Sequence, residues 1–167
     1  MAGRLAKAEQ SLSAINDATQ LYENYYAKFL VSSAITTDRD LCLAAGVISL
    51  LHTINLSDIK PLESLLDKLN INQEMFLKMI YRLCEDEFVE IKLDKVATIS
   101  DQCLRNYMLY YVFCKKRIVP YSELLEIGFR SFRNGIVKAT SILWNIFNSS
   151  EVRDYLSLEI EKVWDIY

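Results

Sequence analysis

Glycine and proline are scarce in this chain, with four and two among 167 residues. A β-sandwich would need far more turn residues to join its short strands, so mostly helix with little strand is expected. Long apolar runs are missing as well: the longest, "LCLAAGVISLL" (Leu41 to Leu51), falls far short of a bilayer span and reads as a buried helix. Cys42, Cys84, Cys103 and Cys114 form no Cys-x-x-Cys pair, and no secretory signal peptide precedes them. They read as reduced, mostly buried thiols of a cytoplasmic protein. Their spacing to His52, the only histidine, matches no zinc pattern, and neither metal nor other cofactor is expected.

Catalytic patterns are absent too. There is no phosphate loop, no Gly-x-Gly-x-x-Gly, no Gly-x-Ser-x-Gly and no His-Glu-x-x-His. His52 lies at the end of a leucine-rich helix without an evident partner, where the helix dipole would favour its charged form. The carboxylates of "CEDEF" (Cys84 to Phe88) diverge around a helix axis and read as a solvated acidic face. Nor is positive charge in excess: Lys and Arg total 19 against 22 Asp and Glu, a net charge of −3. That balance is wrong for a domain whose main task is to neutralise phosphates.

What remains, rich in Leu, Ile, Lys, Glu and Tyr, predicts a mainly α fold. Its plan is a winged helix-turn-helix with a short β-hairpin, flanked by an N-terminal helix and a C-terminal helical bundle. Leu5, Ala8, Leu12 and Ile15, then Tyr22, Tyr26 and Phe29, recur at helical spacing in residues 1–35. Within 36–100, "TTDRD" caps the apolar helix at 41–53, and Pro61 opens a short second helix. Asn72 caps a third helix with Met75, Phe76, Met79, Ile80 and Leu83 inward. "VEIKLDKVATIS" then alternates, with Val89, Ile91 and Leu93 on one side and a turn at Asp94-Lys95.

Residues 101–167 read as helices. The first is capped by Ser100 or Asp101, with Leu104, Met108, Tyr111 and Val112 inward and Cys103 and Cys114 on nearly one face. The next is expected to end near Gly128, with a further irregularity at Gly135. The last pattern runs to Tyr167 without a cap, so the chain is expected to belong to something longer.

The third helix is where a winged helix reads DNA, and here its charge is unfavourable. Between Asn72 and Phe88 stand Lys78 and Arg82 against Glu74, Glu85, Asp86 and Glu87. The basic residues gather elsewhere: Lys115, Lys116 and Arg117, with Arg130 and Arg133, interleaved with Tyr121, Phe129 and Phe132, a mix able to hold single strands. Should the chain be a winged-helix DNA-binding regulator, Lys78, Arg82 and these five cations would make the contacts.

"LYENYYAKFL", the winged-helix stretch, "ATISDQCLRNYMLYYVFCKKRIVPYSELL" and "FRNGIVKATSILWNIF" together resemble the region after the nucleotide-binding core of large bacterial STAND ATPases, signalling relatives of AAA+ and NACHT proteins. The resemblance begins near Leu21 and rests on aromatic and structural residues. It implies a non-catalytic regulatory module whose winged helix packs on an ATPase core. In relatives a His-Asp pair after the wing senses the nucleotide phosphate; Ser100-Asp101 match that place, with Ser100 where the histidine would stand. Helix capping explains both residues without a nucleotide. Since no phosphate loop is present, the resemblance implies a fragment or truncated relative without its NTPase core, whose partner is a protein: that core, or another copy of itself. Exposed apolar patches are then expected on the first and last helices.

Overall fold

The computed structural model describes residues 18–31 and 33–164. Among these, eight α-helices and three short strands run in the order α1 (Thr19–Val31), α2 (Arg39–Leu51), β1 (Ile54–Asn55), α3 (Glu63–Lys68), α4 (Gln73–Glu85), β2 (Glu90–Lys92), β3 (Val96–Thr98), α5 (Gln102–Tyr110), α6 (Tyr121–Ser131), α7 (Arg133–Ile146) and α8 (Ser150–Trp164). The fold is mainly helical with one small antiparallel sheet. The expected stripe at Leu5, Ala8, Leu12 and Ile15, and Tyr167, lie outside the described residues.

Helix α2 starts where Asp38 accepts hydrogen bonds from the backbone N–H groups of Asp40 and Leu41, both at 3.1 Å. Every residue from Leu41 to Leu50 is buried, because α4, α5 and α7 pack around it. Helix α4 starts the same way, with Asn72 Oδ1 accepting from Met75 N–H at 2.7 Å. Its inward stripe is Phe76, Met79, Ile80 and Leu83; Met75, expected to join them, is 38% exposed, since it lies at the edge of the stripe in the first turn.

The sheet departs from the expected two-stranded hairpin. Its order is β1-β3-β2, with Ala97 between Ile54 and Ile91. Thr98 Oγ1 also donates to the His52 carbonyl at 2.8 Å, tying β3 to the end of α2. The turn is one residue earlier than expected: Leu93 and Asp94 both have positive φ (53° and 54°), and Lys95 N–H bonds to the Lys92 carbonyl at 3.0 Å. Two successive left-handed residues match the twist of a tight hairpin. Leu93, expected beside Val89 and Ile91, therefore sits at the tip, 90% exposed.

His52 ends α2 with φ of 65°. Its pKa is lowered, by burial first and then by the charges of Arg105 and Lys138, so the expected preference for the charged form is reversed. Two nearby cations and a desolvated ring outweigh the half-charge of a helix end.

Helix α5 begins at Asp101 and continues as a π-helical turn, Tyr111–Lys115, in which Lys116 N–H reaches the Tyr111 carbonyl at 2.8 Å. Leu104, Tyr107, Met108, Tyr111 and Val112 are buried. Cys114, within this turn, is buried, while Cys103, in the first turn of α5, is exposed. Cys42 is buried as well and Cys84 half-buried; burial pushes the Cys42 and Cys114 thiols up to about 12.

The expected helix breaks at Gly128 and Gly135 are instead close approaches. Helix α6 runs on to Ser131, and Gly128 lies against the Ile136 side chain. Gly135 lies within α7, where an added Cβ would stand 3.0 Å from the Leu50 carbonyl oxygen. One buried apolar cluster runs from Tyr26 and Leu30 on α1 to Val152 and Leu156 on α8, crossing the boundary near Ser100.

Candidate functional site

The corner at Ser100-Asp101 is held from within the chain. Asp101 Oδ1 accepts from Cys103 N–H (2.8 Å) and Leu104 N–H (3.1 Å), as an N-cap does. Its Oδ2 accepts from the Tyr26 hydroxyl at 3.3 Å. A second latch runs the other way between the same helices: Tyr107 of α5 donates to Glu23 Oε2 of α1 at 3.2 Å, and Lys115 Nζ bonds the same oxygen. Burial first, and then the neighbouring carboxylates, raise both tyrosine pKa values, so both hydroxyls stay donors. Ser100 is exposed. Replacing Asp101 by alanine is expected to cost about 1–2 kcal/mol of stability in urea melts, the loss of a cap, and Ser100→Ala less than about 0.5 kcal/mol.

The cations proposed for nucleic acid divide into separate settings. Lys78 projects from the exposed face of α4, while Arg82 is paired with Asp38 Oδ2 at 2.8 Å. Lys115 is taken by Glu23, and Lys116 lies over the Tyr111 ring at 5.7 Å. Arg117 donates to the Cys114 carbonyl and to Glu151, and covers the Tyr155 ring at 4.3 Å. Arg130 and Arg133 stand at the far end of α6, about 16 Å away along its 11 residues. The single cluster expected from the sequence is thus two, and Tyr121, one of its interleaved aromatics, is fully buried with its hydroxyl shared with Thr140 at 2.8 Å.

Two features had no signal in the sequence. Glu159 on α8 is only 4% exposed and accepts from both Ser122 N–H (2.9 Å) and Ser122 Oγ (2.8 Å), while Lys162 bonds its other oxygen. Helices α6, α7 and α8 also leave an apolar groove of about 750 Å³ between them, walled by Leu125, Phe129, Val137, Trp144, Ile160 and Trp164. Its residues come from three helices, so no local spacing marks it.

Exposed apolar side chains also occur on α1 (Leu21 70%, Tyr25 73%, Val31 76%) and on α8 (Leu158 59%, Trp164 81%). Among the described residues no group of His, Cys, Asp or Glu side chains is arranged to hold a metal, and no helix is long and apolar enough to cross a membrane. No family model, no curated protein and no solved structure matches this chain.

Proposed function

We propose that the chain is a non-catalytic protein-docking module whose residues 36–100 form a winged helix turned to protein contact, as the resemblance to the regulatory region of STAND ATPases implies. The winged-helix reading is supported by the element order α2, β1, α3, α4, β2, β3 with β1 paired to β3. The observation that carries docking on protein is the tip of the hairpin. A wing that follows DNA presents net positive charge there, but here the exposed Lys92 and Lys95 are matched in number by Glu90 and Asp94, and the tip itself carries Leu93, 90% exposed and held at a positive φ that costs a leucine about 1 kcal/mol or more. Glu90 is paired with Lys92 at 3.7 Å, and on α4 Glu74, Tyr81 and Glu85 are exposed to solvent, as is Lys78. The partner is an ATPase core or a second copy, met through Leu93 and the outer face of α1.

Fluorescence anisotropy with random duplex DNA at about 50 mM salt, where phosphate contacts count most, separates this reading from a DNA-binding regulator. No binding is expected. Binding that weakens steeply as salt rises would restore the DNA reading, with Lys78 as its first contact. Sedimentation over a concentration series tests the second-copy form: self-association that disappears in Leu93→Asp supports it.

A further inference from the structure

We propose that the apolar groove between α6, α7 and α8 is the seat of the chain's own first residues, with Leu5, Ala8, Leu12 and Ile15 packed into it as one face of a helix. This goes beyond the docking reading and does not rest on it.

The described chain begins at the mouth of that groove. Ala18 N–H donates to the Ile146 carbonyl at 3.2 Å, and the Ala18 carbonyl accepts from Tyr22 N–H at 3.0 Å. In a helix continuous with α1 the Ala18 N–H would bond four residues back, to Ala14. Here it is given to the last residue of α7, so α1 starts afresh at Ala18, beside the end of α7. Trp144 and Asn145, the two residues before Ile146, line the groove.

Ile15 is three residues from Ala18, a span of at most about 11 Å, so Trp144 is within its reach. As a helix, Leu5 to Ile15 covers about 15 Å, and the groove wall from Val137 to Asn145 covers about 12 Å of α7. Stripe and groove thus match in length, with the segment parallel to α7 and Leu5 toward the Val137 end. The polar side chains along that wall have partners within the chain: Thr140 Oγ1 is shared with the Tyr121 hydroxyl and bonds the Ile136 carbonyl, and Asn145 Nδ2 donates to Ser141. An occupant would lose any hydrogen bond it brought to them, which favours an aliphatic face. Lys7 and Gln10 fall on the opposite side of such a helix and keep to water. The tether decides between this segment and a second copy, because a link of two or three residues gives an effective concentration on the order of millimolar.

Both tryptophans of the chain, Trp144 and Trp164, line the groove, and residues 1–17 contain no Trp, Tyr or Phe, so intrinsic fluorescence reports the cover without a contribution from it. In the full chain acrylamide is expected to quench the tryptophans weakly. Leu12→Asp should raise the quenching and shift the emission to the red, while Gln10→Asp, the same charge on the opposite face, should change neither. A peptide of residues 1–17 added to the Leu12→Asp chain should restore the shielding in a saturable way. Val137→Asp in that background should weaken the peptide roughly tenfold or more, because the stripe then buries a charge. Val137 is 50% exposed, so its aspartate variant is expected to fold, and by itself it should raise the quenching as Leu12→Asp does. Far-UV circular dichroism checks that each variant is folded. Quenching that is the same in the native chain and in these two single variants overturns the proposal. So does an equal effect of Gln10→Asp and Leu12→Asp, or a peptide that fails to restore the shielding. Shielding that grows with protein concentration would assign the groove to a second copy, and overturn it too.

Discussion

Replacing Tyr107 with alanine is expected to lower the unfolding free energy by about 3–5 kcal/mol, the usual cost of removing a large buried aromatic. The ring is fully buried and meets four others: Tyr26 at 5.3 Å, Tyr22 at 6.4 Å, and Tyr110 and Tyr111 both at 5.9 Å. Those rings belong to α1 and to the α5 segment, so the cavity would open the joint between them. Tyr107→Phe separates packing from bonding. It keeps the ring and removes only the hydroxyl that donates to Glu23, so about 1 kcal/mol is expected. Guanidinium unfolding followed by circular dichroism measures both. Equal losses for the two variants would mean that the hydroxyl, and not the ring, holds the joint. Since a domain of this kind has a total of about 5–15 kcal/mol, the alanine variant would be marginal at ordinary temperature.

Glu159→Ala is expected to cost about 2–3 kcal/mol, because α6 would lose the acceptor of its opening turn. Pro120 precedes that turn and brings no side-chain acceptor, so Ser122 N–H and Oγ both turn to the buried carboxylate. Burial alone would raise the pKa of Glu159, but the hydrogen bonds from Lys162 and Ser122 outweigh it and hold the group below its ordinary value. That direction sets the sign of the pH dependence. With the folded pKa below the unfolded value of about 4.3, this stabilisation is complete above that value and is lost as pH falls through the folded one. Melting temperatures taken from about pH 6 down to pH 3 should fall in the native chain, and Glu159→Gln should flatten that acid limb while lowering the neutral plateau. An unchanged limb in the variant would show that other carboxylates carry the acid sensitivity.

Much of the fold is legible in short stretches of sequence. Asp38, Asn72 and Asp101 each precede an apolar periodic run, and each takes the cap that its side chain allows. The stripe Phe76, Met79, Ile80 and Leu83 is buried as its spacing predicts. Strand β1 was not legible, because two residues of "TIN" carry no alternation and become a strand only by meeting Val96 and Ala97. Gly128 and Gly135 carry the mark of a helix end in sequence, yet each is where a neighbouring element comes close. The exposed tip at Leu93 is not legible for a related reason: alternation alone does not show which residue the turn takes.

The candidate site divides in the same way. The basic residues were visible, but a formal charge says nothing of its partner. Arg82 belongs to Asp38, which is 44 positions away, and Lys115 to Glu23, 92 positions away. Composition, caps and periodicity determined that this chain is mainly helical and where most of its helices begin, because those effects act within about four residues along the backbone. The tertiary structure alone decided which charges pair with one another, where the sheet closes, and that three helices leave a groove next to two arginines. Each of these depends on distances between residues far apart in the chain, and only packing sets those distances.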